Sequence, residues 1–390
     1  MKKVIKMKIG IDGRPLTEKR TGIGTYTYEI IKKLNELDLK NEYYIYSNKE
    51  VYLDFELNNN WKICKYSSKI GTFGLYFKLP VRLKKDNIDT FWGTQHCLPK
   101  RNKYTKSVNY ILTIHDIALE KFKNIGSVYN TLIQKLILKK SCENANKIIT
   151  VSMATKRDLI EILSIDSNKI DTVYCGINKR KEIQLSTEDR NKIEKKYKIN
   201  EKTDFIFFLS TIEPRKNLDT AIKAFELYKT ENDADLKFII SGGLGWKCKK
   251  ILKTIENSKY KEDIIRTGYI TKEEKEYFFK NCKAFVYPSL YEGFGIPILE
   301  AMQNGAIVIT SNISSLPEVG GDVPLYLNNM YDEKELAMLL KQALSLRKDE
   351  KETIVKNGYE QIKKFSWVEC ATKILELFDY GEEKNENNQY

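Results

Sequence analysis

The stretch FVYPSLYEGFGIPILEAM, residues 285–302, decides how the rest of the chain is read. Phe285, Val286 and Tyr287 make a short apolar run with aromatic and β-branched side chains, as a buried strand needs. Pro288 ends it. Gly293 and Gly295 let the backbone approach a ligand closely. Pro297 has no N–H to lose, which suits the opening of a helix. Asn304 and Gly305 close that helix, with glycine in the left-handed cap. A helix that starts on a glycine loop after a strand offers free N–H groups and the positive end of its dipole to an anion. Two carboxylates flank it, Glu292 in the loop and Glu300 one turn into the helix. Carboxylates repel a bare phosphate. They fit if they grip hydroxyls beside the phosphates, on a sugar and on a ribose, and that combination describes a nucleotide-sugar site. The alternative is an ordinary strand–helix unit with two surface glutamates.

Strand–loop–helix units of this kind recur on both sides. A buried strand at 205–209 leads through Ser210, Thr211 and Ile212 to Glu213-Pro-Arg-Lys-Asn217 and a helix over 218–230. Arg215 and Lys216, adjacent cations at the mouth of that loop, suit a pyrophosphate; a solvated surface pair is the alternative. Strands at 237–241 and 263–267 follow, the second ending in Gly268-Tyr269-Ile270. Thr271 and Glu274 form a capping box. A strand at 306–310, the loop SNISSLPEVGG over 311–321, and helices at 333–346 and 367–380 complete this half. Residues 381–390 are polar and are expected to be disordered.

The first half opens with a strand at 8–12 that ends at Asp12. The loop Thr21-Gly-Ile-Gly-Thr25 follows, then a helix over 26–37 whose apolar positions Ile30, Ile31, Leu34 and Leu37 have helical spacing. Gly22-x-Gly24 lacks the full dinucleotide fingerprint. Strands are expected at 43–46, 61–64, 90–92, 110–114 and 147–151. The fourth ends in His115-Asp116, at the strand edge where open α/β sheets place ligands; His96 also follows a strand. A core helix is read from Val128, Leu132, Ile133, Leu136 and Ile137. Residues 68–86 mix aromatics, leucines and lysines, and read equally as a membrane-surface segment or as a core-packed helix with a solvated lysine face. Residues 179–203 read as a linker plus a polar helix.

Glu292-x₇-Glu300 with Gly-Phe-Gly between, set in EGFGIPxLEAM after a strand, resembles the signature of the retaining glycosyltransferases of family 4. DGRPL and TGIGTYTYE resemble the bacterial mannosyltransferase-like branch. The resemblance spans nearly the whole chain. It implies the α/β GT-B fold, two doubly wound Rossmann-like domains facing across a cleft. The expected boundaries are 1–178 for an acceptor-side domain and 179–365 for a nucleotide-sugar-binding domain. A helix over 366–380 crosses back, and 381–390 is a disordered tail.

The resemblance also assigns roles. Glu292 binds sugar hydroxyls and Glu300 the ribose diol. His115, in TIHDIALE, resembles the family's His-Asp loop and contacts the donor sugar. Arg215 and Lys216 stabilise the leaving phosphate; many relatives carry Gly-Arg-Leu where this chain has Ser210, Thr211 and Ile212, so Arg215 supplies the missing cation. Gly293, Phe294, Gly295 and Ile296 cradle the diphosphate, Tyr269 and Ile270 line the nucleobase pocket, and Gly22 and Gly24 lie across the cleft. Asp12, His96 and Asp116 fall on the acceptor side.

The activity this implies is metal-independent transfer of a hexose, mannose from GDP-mannose, to a lipid-linked or oligosaccharide acceptor in surface polysaccharide synthesis. The alternatives are a UDP-sugar donor on the same fold, a sugar-phosphate or glucan synthase, and a non-catalytic nucleotide-sugar-binding protein. A Rossmann oxidoreductase is disfavoured, because no complete fingerprint follows the first strand.

Composition agrees. The 390 residues are 42% hydrophobic and 31% charged, which is a globular balance with room for two domains. No apolar run reaches the length of a membrane-spanning helix. The seven cysteines are scattered, without a C-x-x-C pair, so neither a zinc site nor a disulfide framework is expected and a reducing cytoplasm fits. The net charge of +13 suits phosphorylated substrates or an anionic membrane surface, and no nucleic-acid motif accompanies it. The alternative is that a chain rich in lysine and asparagine reflects an AT-biased genome. Asp233-Ala-Asp235 has the spacing of a metal motif, but it precedes a strand instead of following one, so no metal is expected.

Overall fold

The computed structural model describes residues 6–18, 20, 22–68, 71–122, 128–178 and 185–386. Among these residues the strands form two sheets in which every neighbouring pair is parallel. The first contains β1 (Lys8–Asp12), β2 (Glu42–Ser47), β3 (Trp61–Lys65), β4 (Thr90–Gly93), β5 (Asn109–Ile114), β6 (Lys147–Thr150) and β7 (Ile170–Thr172). Their order is β3-β2-β1-β4-β5-β6-β7. The second contains β8 (Phe205–Leu209), β9 (Lys237–Ser241), β10 (Ile264–Gly268), β11 (Ala284–Tyr287), β12 (Val308–Ser311) and β13 (Leu325–Leu327), in the order β10-β9-β8-β11-β12-β13.

A parallel sheet takes helices on both faces, so its strands are apolar on both sides. FIFFL in β8 and AFVY in β11 satisfy that, and Phe205, Phe207, Phe208, Phe285 and Tyr287 are all buried. In each sheet the order reverses beside the first strand, between β1 and β4 and between β8 and β11. Ligands of open α/β sheets bind beyond the carboxyl ends of the strands at such a reversal.

The chain divides into two compact units, each a doubly wound Rossmann-like domain. One comprises Met1–Gly176 with Phe365–Tyr390, the other Ile177–Lys364. The terminal helix is part of the first unit's core: Cys370, Ala371, Ile374 and Phe378 are buried, and Trp367 and Phe378 pack edgewise or tilted against Tyr26 and Trp92.

Several local expectations are corrected. The terminal helix runs from Trp367 to Glu386, so residues 381–386 are helical and not a disordered tail; glutamate and lysine are good helix formers and carry the helix past Gly381. Residues 387–390 of that expected tail lie outside the described residues. The first helix begins at Gly22 instead of residue 26, which places Gly22 and Gly24 inside its first turn. A side chain at 24 would lie 2.7 Å from the carbonyl oxygen of Pro15, so glycine there lets the helix start press against the loop leaving β1. The helix read over 128–137 extends over Val128–Asn144; Leu138 and Cys142 carry its core face while Leu136 is exposed. The side chains of residues 128–133 lie outside the described residues, as do residues 179–184 of the linker. No helix among the described residues is long and apolar enough to cross a membrane.

Candidate active site

At the reversal of the second sheet, the loops leaving β8 and β11 are adjacent because their strands are paired. The β8 loop turns through a short 3₁₀ segment, Pro214–Lys216, and Asn217 in a left-handed conformation starts the helix Leu218–Asn232. The β11 loop runs to Gly295, whose φ of 120° is open to glycine, and there the helix Ile296–Gln303 begins, with Pro297 in its first turn. A backbone hydrogen bond from the Leu290 N–H to the Arg215 carbonyl, 2.8 Å, ties the two loops together.

Their side chains form one buried network. Lys216 Nζ lies 2.5 Å from Glu292 Oε1 and donates to the Tyr287 hydroxyl at 2.9 Å. Tyr287 in turn donates to Glu292 Oε1 at 2.9 Å. Arg215 Nη1 donates to Glu292 Oε2 at 3.1 Å and to the Tyr291 carbonyl at 2.8 Å, and its Nη2 pairs with Glu213 at 2.8 Å. Two cations and two carboxylates are thus held together, with Lys216 only 5% and Glu292 only 7% exposed. Burial pushes the Glu292 carboxyl up, but Lys216 and Arg215 more than reverse that and hold it at about 2. Burial lowers the Lys216 ammonium and Glu292 partly restores it. Burial, then the Glu292 charge, drives the Tyr287 phenol well above its ordinary value, so it stays a hydrogen-bond donor.

The loop is pinned from the far side by the segment after β12. Ser315 Oγ donates to the carbonyl of Phe294 at 2.7 Å, and both Ser314 and Ser315 reach the carbonyl of Glu292. With those carbonyls turned toward the serines, the backbone of residues 293–296 is held in one arrangement at the helix start. Glu300 sits apart from the network, partly exposed and paired with Lys275 at 2.7 Å. Tyr269 is 88% exposed and its ring lies over Gly243; Ile270 beside it is half-buried.

The first unit has its own cluster at the carboxyl ends of β4 and β5. His115 Nε2 lies 2.8 Å from the Thr94 carbonyl, and because a carbonyl only accepts, Nε2 carries the proton. The His115 backbone N–H donates to His96 Nε2 at 3.0 Å, which puts the His96 ring proton on Nδ1. Burial, then the neighbouring His96, lowers the His115 imidazole to about 4. Burial likewise lowers His96, with Asp116 opposing. The Nε2–H of His115 is therefore already committed to the Thr94 carbonyl. Tyr26 packs edgewise on it at 4.8 Å between centroids. Asp116 accepts from the Ala118 N–H. Asp12 is fully buried, and Arg14 takes both of its oxygens, at 2.7 and 2.8 Å.

In the second unit the structure joins Glu292, Arg215 and Lys216, and leaves Glu300, Tyr269 and Ile270 outside that network. In the first it places His115, His96 and Asp116 together. Gly22 and Gly24 are at a helix start in the first unit. Sequence reasoning missed Tyr287, Glu213, Ser314, Ser315 and Arg14. The signals were present but faint: Tyr287 is the last residue of a strand entering the glycine loop, and Glu213 directly precedes Pro-Arg-Lys. Among the described residues no group of three or more His, Cys, Asp or Glu side chains is placed to hold a metal ion. Asp233 of the Asp-x-Asp pair ends a helix in left-handed conformation.

Two family descriptions match successive parts of the chain: Glycosyltransferase Family 4 over residues 20–181 and Glycosyl transferases group 1 over residues 189–361. The O-antigen chain mannosyltransferase B of Escherichia coli is 26% identical over 391 residues, covering 95% of this chain and 99% of that protein. The serotype-specific mannosyltransferase WbdA of Escherichia coli is 30% identical over 240 residues, which are 60% of this chain and 29% of that protein. Among solved structures, a glycosyltransferase from Rickettsia africae superposes with a TM-score of 0.71 at 19% identity, covering 96% of this chain and 98% of that one.

Proposed function

Because the chain belongs to the family 4 glycosyltransferases with the GT-B fold, in their mannosyltransferase-like branch, we propose that it moves mannose from GDP-mannose to a hydroxyl of a lipid-linked or oligosaccharide acceptor in surface polysaccharide synthesis. The observation that carries the donor half is the neutral network of Arg215, Lys216, Glu213 and Glu292 at the β8–β11 reversal. A free phosphate could draw Lys216 and Arg215 only by stripping Glu292 of its partners. A sugar diphosphate satisfies both sides at once: its phosphate oxygens accept from the cations while its sugar hydroxyls donate to Glu292. The network therefore selects a donor that carries both groups.

Breaking the bond from the anomeric carbon to the diphosphate puts negative charge on the leaving oxygen. Arg215, Lys216 and the N–H groups at the start of the helix Ile296–Gln303 stabilise it, fixed in place before the reaction. These groups supply the charge a metal would otherwise bring, so transfer is expected to survive chelation. Glu292, held at about 2 and paired with two cations, is a poor nucleophile. This supports retention by front-face attack, with the leaving phosphate accepting the acceptor's proton. Glu300 binds the ribose diol, exchanging its pairing with Lys275 for the two hydroxyls. Support for the mannose and the polysaccharide comes from the relatives named as O-antigen and serotype-specific mannosyltransferases.

The test is a turnover panel of GDP- and UDP-sugars, followed by release of the nucleoside diphosphate with and without EDTA. GDP-mannose is expected to be consumed at an EDTA-insensitive rate. Turnover confined to a UDP-sugar reassigns the donor, tight binding without turnover makes the protein a binder, and a strict need for Mn²⁺ or Mg²⁺ removes the charge argument.

A further inference from the structure

Residues 71–85 of the first unit fold as one continuous helical rod with a five-residue π-helical centre: Gly71–Phe73, Gly74–Lys78 and Leu79–Lys85. Its inner face is ordinary core. Leu75, Leu79 and Leu83 are fully buried among Tyr46, Phe91 and Leu98. Its outer face is not. Phe73, Phe77 and Val81, spaced four apart, are 54%, 49% and 54% exposed and make one apolar stripe along the rod. The two phenylalanine rings touch, 4.6 Å between centroids. Apolar side chains scattered singly on a surface need no explanation, but a contiguous stripe does.

Charge surrounds the stripe. Lys78, Lys84 and Lys85 are exposed on the rod itself. Lys100, in the loop after β4, hangs its Nζ 5.9 Å from the Phe77 ring, and its backbone N–H binds the Tyr76 carbonyl at 2.9 Å. Residues 71–106 hold eight basic and two acidic side chains. One of the two, Asp86, is already taken by Arg82 and Tyr46. The rod is also fixed to the ligand-binding edge of the sheet, because Arg14, just past β1, donates to Thr72 at 3.2 Å.

We propose that this rod is a docking face that seats the first unit on an anionic lipid bilayer. Apolar side chains sink to the headgroup boundary, and the lysines around them meet lipid phosphates. A second copy of the chain fits poorly: a two-fold contact through the stripe would set Lys78, Lys84 and Lys85 against cations of the partner. The inference deepens the acceptor half of the proposed function, since a lipid-linked acceptor lies at such a surface. It needs no turnover to test, so either reading can fail alone.

The experiment is vesicle sedimentation of the full chain, with phosphatidylcholine alone or mixed with phosphatidylglycerol, across a salt series. The protein is expected to pellet with the anionic vesicles at low salt and to release as salt rises. Lys78→Gln, Lys84→Gln and Lys85→Gln together should weaken that binding on the order of 100-fold at low salt and flatten the salt dependence. Phe73→Ser, Phe77→Ser and Val81→Ser together should weaken it at least about tenfold at every salt concentration. All six side chains are exposed, and melting curves check that both triple variants stay folded. Wild-type protein left in the supernatant with anionic vesicles overturns the proposal. So does a serine variant that pellets like wild type, or self-association that the serine variant abolishes while vesicle binding is absent.

Discussion

A lysine that is 5% exposed depends on its counter-ion. Removing Glu292 would leave Lys216 and Arg215 facing each other at the mouth of β8. Glu292→Gln is thus expected to cost about 3–5 kcal/mol of stability in addition to most transfer activity. Lys216→Met on its own breaks the same contact. The double variant should be more stable than the two losses predict, by roughly 1–3 kcal/mol, because it removes the pair together. Denaturant unfolding of the four proteins decides it, and strict additivity would show that the network carries no coupling. The sequence marked Glu292, Arg215 and Lys216 as site residues but gave no sign of their pairing, since 76 or 77 positions separate them. His115 makes a second residue-scale prediction. Its folded value of about 4 lies below the ~6.5 of an unfolded histidine. The unfolded chain therefore takes up a proton first, and stability falls as pH drops from about 6.5 to about 4, by up to about 3 kcal/mol. Glu292, also depressed, adds its loss lower down, between about 4.5 and about 2. In a plot of melting temperature against pH, His115→Asn should flatten the upper window and spare the lower one; an unchanged upper window would rule out burial of this ring as the cause.

Among the elements, the parallel strands were legible because burial on both faces leaves an unbroken apolar run such as FIFFL. The start at Gly22 was not. Glycine is a poor helix former, and the close approach that calls for glycine at 24, where a Cβ would meet the Pro15 carbonyl, is invisible in the sequence. The terminal helix, expected over 366–380 as one that crosses back, runs over Trp367–Glu386, and the side chains by which it completes the first unit's core show only in three dimensions. Trp367, Cys370, Ile374 and Phe378 are at most 4% exposed. Each such side chain contributes roughly 1.5–3 kcal/mol on burial, so together they rival the ~5–15 kcal/mol that holds a whole domain. A chain ending at residue 364 is expected to keep the second unit folded and lose the first. Two resolved transitions in the intact protein against one in the truncated form, seen by calorimetry, would establish this; retention of the first unit's transition would refute it.

For the molecule as a whole, two Rossmann-like domains were readable from the repeated strand–loop–helix grammar and from the glycine loop before Ile296. A contact order this non-local leaves no mark in local sequence, and it was the resemblance that placed the terminal helix with the first domain. Its two parts, Met1–Gly176 and Phe365–Tyr390, bracket the other unit completely. That arrangement bears on how the protein is born. A ribosome delivers the chain from its N-terminus, and domains generally fold as they emerge. Here the second unit is contiguous and can close while the terminal helix is still being polymerised. The first unit must wait, with Tyr26 and Trp92 uncovered, until Trp367 and Phe378 have been made. Of the two units, the one whose synthesis begins first is completed last, and its apolar surface stays exposed in that interval.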